Sequence, residues 1–242
     1  ALAETLSPDR LARALGRYFE VMTAAVHASG GIVDKYIGDA VMALWNAPEP
    51  LPDHAARACA AALAGREAAR RLMASAEWEG LPALRMRFGL HRGEVMVGHF
   101  GAPDRIAYTA LGDAVNLASR LEGQNRAYGT AILVSQTVRE AAGDAFAFRL
   151  LDVVAVKGRR RGVAVHELLG ATGDVPPEHM AVARLYEEAF AAYRARRFDE
   201  ALDVLAALED DPPARVLAGR CRAFRDSPPG PEWDGVHAAS EK

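Results

Sequence analysis

Two apolar runs separated by Gly38-Asp39 constrain the chain more than any other feature. The stretch GGIVDKYIGDAVMALW, Gly30 to Trp45, reads as two β-strands, one ending at Ile37 and one starting at Ala40, and a two-residue Gly-containing connection makes them a hairpin. Into this apolar hairpin the sequence places Asp34, Lys35 and, at the turn, Asp39.

Helical signals flank the hairpin. Ser7-Pro8 is a helix start, with Ser as N-cap and Pro at the first helical position. Leu11, Leu15, Tyr18, Met22 and Val26 then recur at helical spacing until Gly30-Gly31. Asp53 opens a second, Ala- and Arg-rich helix, expected to run to about Ala76. LRMRFGLH and EVMVGHF follow as two strands joined by Arg92-Gly93, and after a loop Asp113 is the expected N-cap of a third helix reaching about Asn125, with Gly129 as a stop. AILV is a short buried strand, Ser135 caps a short helix, and FRLLDVVAV and GVAVHELL form a last hairpin around KGRRRG. An α-β-β-α-β run is a ferredoxin-like βαββαβ unit without its first strand. The expectation is an α+β fold in an N-terminally truncated fragment, which also opens without methionine, in ALAETLSPDR.

From about Asp174 the β-branched runs stop. ARLYEEAFAAYRARRFDEALDVLAAL reads as two amphipathic helices, with Ala189, Phe198, Ala201 and Pro213 near the small, aromatic, small and proline positions of a tetratricopeptide-type (TPR-like) hairpin. The expected domains are an α+β domain over 1–170, a linker over 171–180, a small all-α TPR-like segment over 181–227 and a Pro-rich extended tail over 228–242. One such hairpin is too few repeats to stand alone, so it should lean on the preceding domain or on a protein partner.

Composition narrows the function classes. The 242 residues are half hydrophobic and a quarter charged, with a formal net charge of -3, which argues against a nucleic-acid partner. Cys59 and Cys221 lie in helix-like segments and read as buried free thiols of a reducing, cytoplasmic environment. No apolar run spans a bilayer. The seven histidines show no metal-ligand spacing.

Each polar position has an ordinary structural explanation. Gly-Asp is common turn chemistry, a strand lysine can guard an exposed edge, and Lys157 in VAVKGRRRG can be a basic hairpin turn. Asn116 can assist a cap while Arg120 pairs with Glu122 or solvent. Asn116 and Arg120 are nevertheless four residues apart, on one face near a helix N-terminus, where anions are favoured. The shared implication of these positions is a polyphosphate ligand.

Together VDKYIGDAVMALW, GLHRGEVMVGHFG, YTALGDAVNLASRLE and VAVKGRRRGVAVHEL resemble the catalytic domain of the class III nucleotidyl cyclases, the adenylate and guanylate cyclase family, over about Ala1 to Leu169. The C-terminal part is similar to the extension of bacterial membrane-anchored members. The resemblance implies conversion of ATP to 3',5'-cyclic AMP and pyrophosphate, with two Mg²⁺ or Mn²⁺ per active site. It implies that Asp39 is a metal carboxylate, Lys35 and Thr109 read the base, Asn116 orients the ribose, Arg120 stabilises the transition state and Lys157 grips the terminal phosphates. In the family the metal carboxylates come from one subunit and the base, ribose and arginine positions from the other, which implies a head-to-tail homodimer.

The family's other metal carboxylate lies in a first strand that would precede Ala1, so the 242 residues alone are expected to turn over little ATP. An upstream sensor or membrane domain is compatible with this organisation. A guanylate cyclase stays open as an alternative, because a threonine hydroxyl can donate as well as accept. So does a degenerate, nucleotide-binding dimerisation module. A diguanylate cyclase is disfavoured, since GGIVDK is not its Gly-Gly-Asp/Glu turn.

Overall fold

A computed structural model describes residues 6–154 and 162–236, and two compact units divide it. The first comprises residues 1–86 and 93–116, the second residues 87–92 and 117–242.

In the first unit, helix α1 (Pro8–Ala28) begins with Ser7 at the N-cap and Pro8 at the first position. Its buried residues Ala14, Tyr18, Met22 and Val26 fall every four positions, a single stripe toward its partners. Gly30 takes a φ of 77° and ends the helix, with the Gly31 N–H donating to the Val26 carbonyl at 3.0 Å. Gly31 then lies flat against the Trp45 ring, where a Cβ would collide. The antiparallel hairpin β1 (Ile32–Ile37) and β2 (Ala40–Leu44) follows, turning at Gly38-Asp39. Phe19 stacks on Tyr36 at 4.1 Å and Thr23 shares a 2.7 Å hydrogen bond with its hydroxyl, which ties the hairpin to α1. Helix α2 (His54–Met73) packs on α1 through a small-residue face that includes Ala55, Cys59, Ala62 and Ala69.

The second unit holds a four-stranded sheet. Strand β3 (Phe88–Leu90) runs parallel to β6 (Ile132–Ser135), β8 (Val163–Ala171) pairs antiparallel with β6, and β7 (Phe146–Val154) forms the edge beyond β8. Helix α3 (Asp113–Tyr128) contributes its first four residues to the first unit and the rest to the second. Gly89 lets β3 approach the α3 backbone at Ala118 and Glu122, closer than any side chain would permit.

Helices α4 (Gln136–Ala142), α5 (Pro177–Arg194), α6 (Phe198–Leu205) and α7 (Pro212–Asp226) complete the unit. The last three share one core with β7 and α3, built from residues that include Leu121, Leu151, Tyr186, Phe190, Tyr193 and Leu217. The Tyr186 hydroxyl donates to the Leu151 carbonyl at 2.8 Å, and the Leu150 N–H to Glu187 at 2.6 Å. Trp233 meets Tyr193 edge-on at 5.2 Å. The C-terminal helices thus lean on the sheet.

Two elements correct the sequence reading. Of LRMRFGLH only Phe88–Leu90 is strand, and it pairs with β6. The partner of β4 (Met96–Ala102) is β5 (Arg105–Leu111), which was expected to be loop. The burial of β5 explains the omission: only Thr109 and Ala110 are buried along RIAYTAL, so no inside-outside alternation marks it. The second helix also ends three residues early, at Met73.

Candidate active site

The first unit brings Lys35 and Thr109 together. Lys35 lies on β1 and Thr109 on β5, and the ammonium donates to Thr109 Oγ1 at 2.9 Å. Thr109 is 5 % exposed and donates its own hydroxyl proton to Asp34 Oδ2 at 2.6 Å. Lys35 Nζ is 3.7 Å from the other oxygen, Asp34 Oδ1, an ion pair longer than a hydrogen bond. The Asp34 side chain is 2 % exposed, whereas that of Lys35 is 41 % exposed.

Consecutive strand residues ordinarily point to opposite faces. Here Val33 pairs with Ala43 but Lys35 with Met42, so Asp34 is the extra residue of a β-bulge. The bulge re-aims the chain so that both neighbours reach one hydroxyl. The Asp34 side chain is thus turned away from solvent, and its main partner is Thr109.

Asp39 is exposed on the β1–β2 turn, where Gly38 takes a φ of 63°. No cluster of three or more His, Cys, Asp or Glu side chains that could hold a metal occurs among the described residues. The exposed Asp39 carboxylate is of the chemical type that can offer an oxygen ligand to a hard cation.

Asn116 and Arg120 are exposed on α3, four residues apart. Lys157 falls outside the described residues.

The second unit contains a cluster that sequence reasoning missed. Asp152, fully buried, accepts from the Tyr128 hydroxyl at 2.5 Å, from Arg220 Nη1 at 2.6 Å and from the Val153 N–H at 2.8 Å. Burial alone would lower the Arg220 pKa, but the adjacent Asp152 charge holds it above its ordinary value. Burial, and then the same carboxylate, raise that of Tyr128. Nearby, Arg149 pairs with Glu167 at 2.5 Å and Asp211 at 2.9 Å, while Asp211 also caps α7 by accepting from the Ala214 N–H. These groups are spent on one another. Burial also pushes the free thiols up, Cys59 to about 12 and Cys221 to about 11, so neither is a ready nucleophile.

Comparison with known proteins identifies the family of the chain. Residues 1–170 match the family described as adenylate and guanylate cyclase catalytic domain, whose members generally use divalent metals. A protein of Rhizobium meliloti named Adenylate cyclase 1 is 40 % identical over 169 residues, covering 70 % of this chain and 25 % of its own length. The chain thus spans about a quarter of that relative. The adenylyl cyclase CyaB from P. aeruginosa superimposes with a TM-score of 0.65 at 30 % identity, over 72 % of this chain and 90 % of that one. The guanylyl cyclase Cya2 does so with a TM-score of 0.59 at 32 % identity, over 72 % and 87 %. The chain belongs to the adenylate and guanylate cyclase catalytic domain family.

Proposed function

We propose that the protein converts ATP to 3',5'-cyclic AMP and pyrophosphate. The observation that carries this reading is the direct contact between Lys35 and Thr109 at 2.9 Å. Adenine presents an acceptor at N1 and a donor at its exocyclic amine. Lys35, with further N–H donors in hand, donates to N1, and Thr109 Oγ1 accepts from the amine. Guanine presents the reverse pair, and a site built for one pattern rejects the other because polar groups are left unpaired.

The remaining roles follow the direction of charge. In the reaction the ribose 3'-oxygen attacks the α-phosphorus and pyrophosphate leaves in line. Asn116 holds the ribose so that this oxygen faces the phosphorus. Arg120 meets the charge that builds on the α-phosphate oxygens, and its loss is expected to lower turnover by roughly 10²- to 10³-fold, as for other transition-state donors. Lys157 binds the terminal phosphates. Asp39 supplies one carboxylate toward divalent cations.

The reading includes a head-to-tail homodimer in which Asp39 serves one site and Lys35, Thr109, Asn116 and Arg120 of the same chain serve the other. The exposed apolar residues Met96, Ile106 and Leu111 on the β4–β5 hairpin are compatible with such a contact. Mixing two inactive chains tests both claims. Introduced into the full-length protein, Asp39→Ala and Arg120→Ala are each expected to abolish cyclic AMP formation from ATP, and the mixture of the two variants to regain activity through one intact site per heterodimer. A mixture as inactive as its components overturns the shared site, and cyclic GMP formed from GTP in preference overturns the base assignment.

A further inference from the structure

We infer that Asp34 is a positioning residue for base selection, fixing Thr109 as an obligate hydrogen-bond acceptor. The inference rests on the proposed base-reading role of Lys35 and Thr109.

A threonine hydroxyl has one proton and can turn it toward a base, so alone it accepts from adenine or donates to guanine with similar ease. Here its neighbours remove that freedom. Lys35 donates to Thr109 Oγ1 at 2.9 Å, and an ammonium cannot accept. Asp34 lies 2.6 Å from the same oxygen, and a carboxylate cannot donate. The proton on Thr109 is therefore committed to Asp34. What Thr109 still offers a base is a lone pair, which matches the adenine amine and opposes the guanine carbonyl.

Three further observations support the assignment. The β-bulge at Asp34 exists in the backbone, so the geometry is built rather than incidental. The Asp34 side chain is 2 % exposed, which keeps water from competing for its acceptance of the Thr109 proton. Its other oxygen, Oδ1, is buried with no hydrogen-bond partner among the described residues and has only the 3.7 Å ion pair to Lys35. That pairing keeps the ammonium beside the hydroxyl while leaving its remaining protons uncommitted.

The test is the ratio of ATP to GTP binding, by titration calorimetry, in the wild-type chain and in Asp34→Asn, Thr109→Asp and the double variant. Asp34→Asn frees the hydroxyl and is expected to reduce the ATP preference by about tenfold or more. Adding Thr109→Asp to Asp34→Asn installs an acceptor that needs no help, and is expected to restore the preference. A purely structural role would weaken both nucleotides equally, and an unchanged ratio overturns the inference. A wild-type chain without ATP preference overturns instead the base-reading assignment on which it rests. Independently of any variant, a neutron structure of the wild-type chain should place the Thr109 deuteron on the line to Asp34; a deuteron directed elsewhere overturns the inference.

Discussion

The molecule builds the same three chemical groups twice, a buried carboxylate, a cation and a hydroxyl, to opposite ends. In the first unit Asp34, Lys35 and Thr109 form an open set. The cation is 41 % exposed, donates to the hydroxyl and keeps protons to spare, and one carboxylate oxygen makes no hydrogen bond among the described residues. In the second unit Asp152, Arg220 and Tyr128 form a closed set. The cation is 16 % exposed and bonds the carboxylate directly, and both carboxylate oxygens accept hydrogen bonds. Unspent hydrogen-bonding capacity, rather than the presence of charge, separates a group that can meet a ligand from one that holds the fold.

The comparison breaks first at Asp152. Asp152→Ala leaves the Arg220 guanidinium buried without its carboxylate, and is expected to cost about 3–5 kcal/mol of stability in urea unfolding. A loss below about 1 kcal/mol would mean that the closed set is not structural.

The pH dependence comes next. Burial, together with the nearby Arg139 charge, holds the His166 pKa down to about 4, against the opposing influence of Glu140. Its ring nitrogen Nε2 is 2.6 Å from Gln136 Oε1. An imidazole depressed in the folded state contributes stability that is fully present above its unfolded value near 6.5. That stability is lost as pH falls toward about 4, because only the unfolded chain takes up the proton. The change is on the order of 3 kcal/mol across that window. His166→Phe should flatten the profile of melting temperature between those pH values, and an unaltered slope would assign the acid sensitivity elsewhere.

The smallest effect on stability is expected from the open set, where Lys35→Ala leaves the buried Asp34 carboxylate with its Thr109 hydrogen bond and should cost about 1–2 kcal/mol. The same substitution should nonetheless weaken ATP binding by roughly ten- to hundredfold, the worth of a charge-assisted hydrogen bond. A loss of stability as large as that expected at Asp152, or unaltered ATP binding, would erase the distinction between the two sets.

Much of this arrangement is legible along the chain, in specific places. Ser7-Pro8, the four-residue stripe of α1 and the Gly38-Asp39 turn are local signals, and the structure repeats them. The pairing of β4 with β5 is not legible, because a strand whose only buried residues, Thr109 and Ala110, are adjacent has no hydrophobic period. Lys35 and Thr109 could be named as partners only through resemblance, being 74 residues apart. Asp34 could not be placed at all, since alternation puts it on the face opposite Lys35 and only the bulge reverses that. Asp152 and Arg220, 68 residues apart, look in sequence like an ordinary strand aspartate and helix arginine.

The bulge carries one more consequence. It makes the site sensitive to counting rather than to composition. Deleting a single codon from β1 would restore flat pairing with β2 and leave a serviceable hairpin, yet it would part the lysine from the aspartate that holds its threonine. Such a lineage would keep its fold and lose the contact proposed to tell one purine from the other.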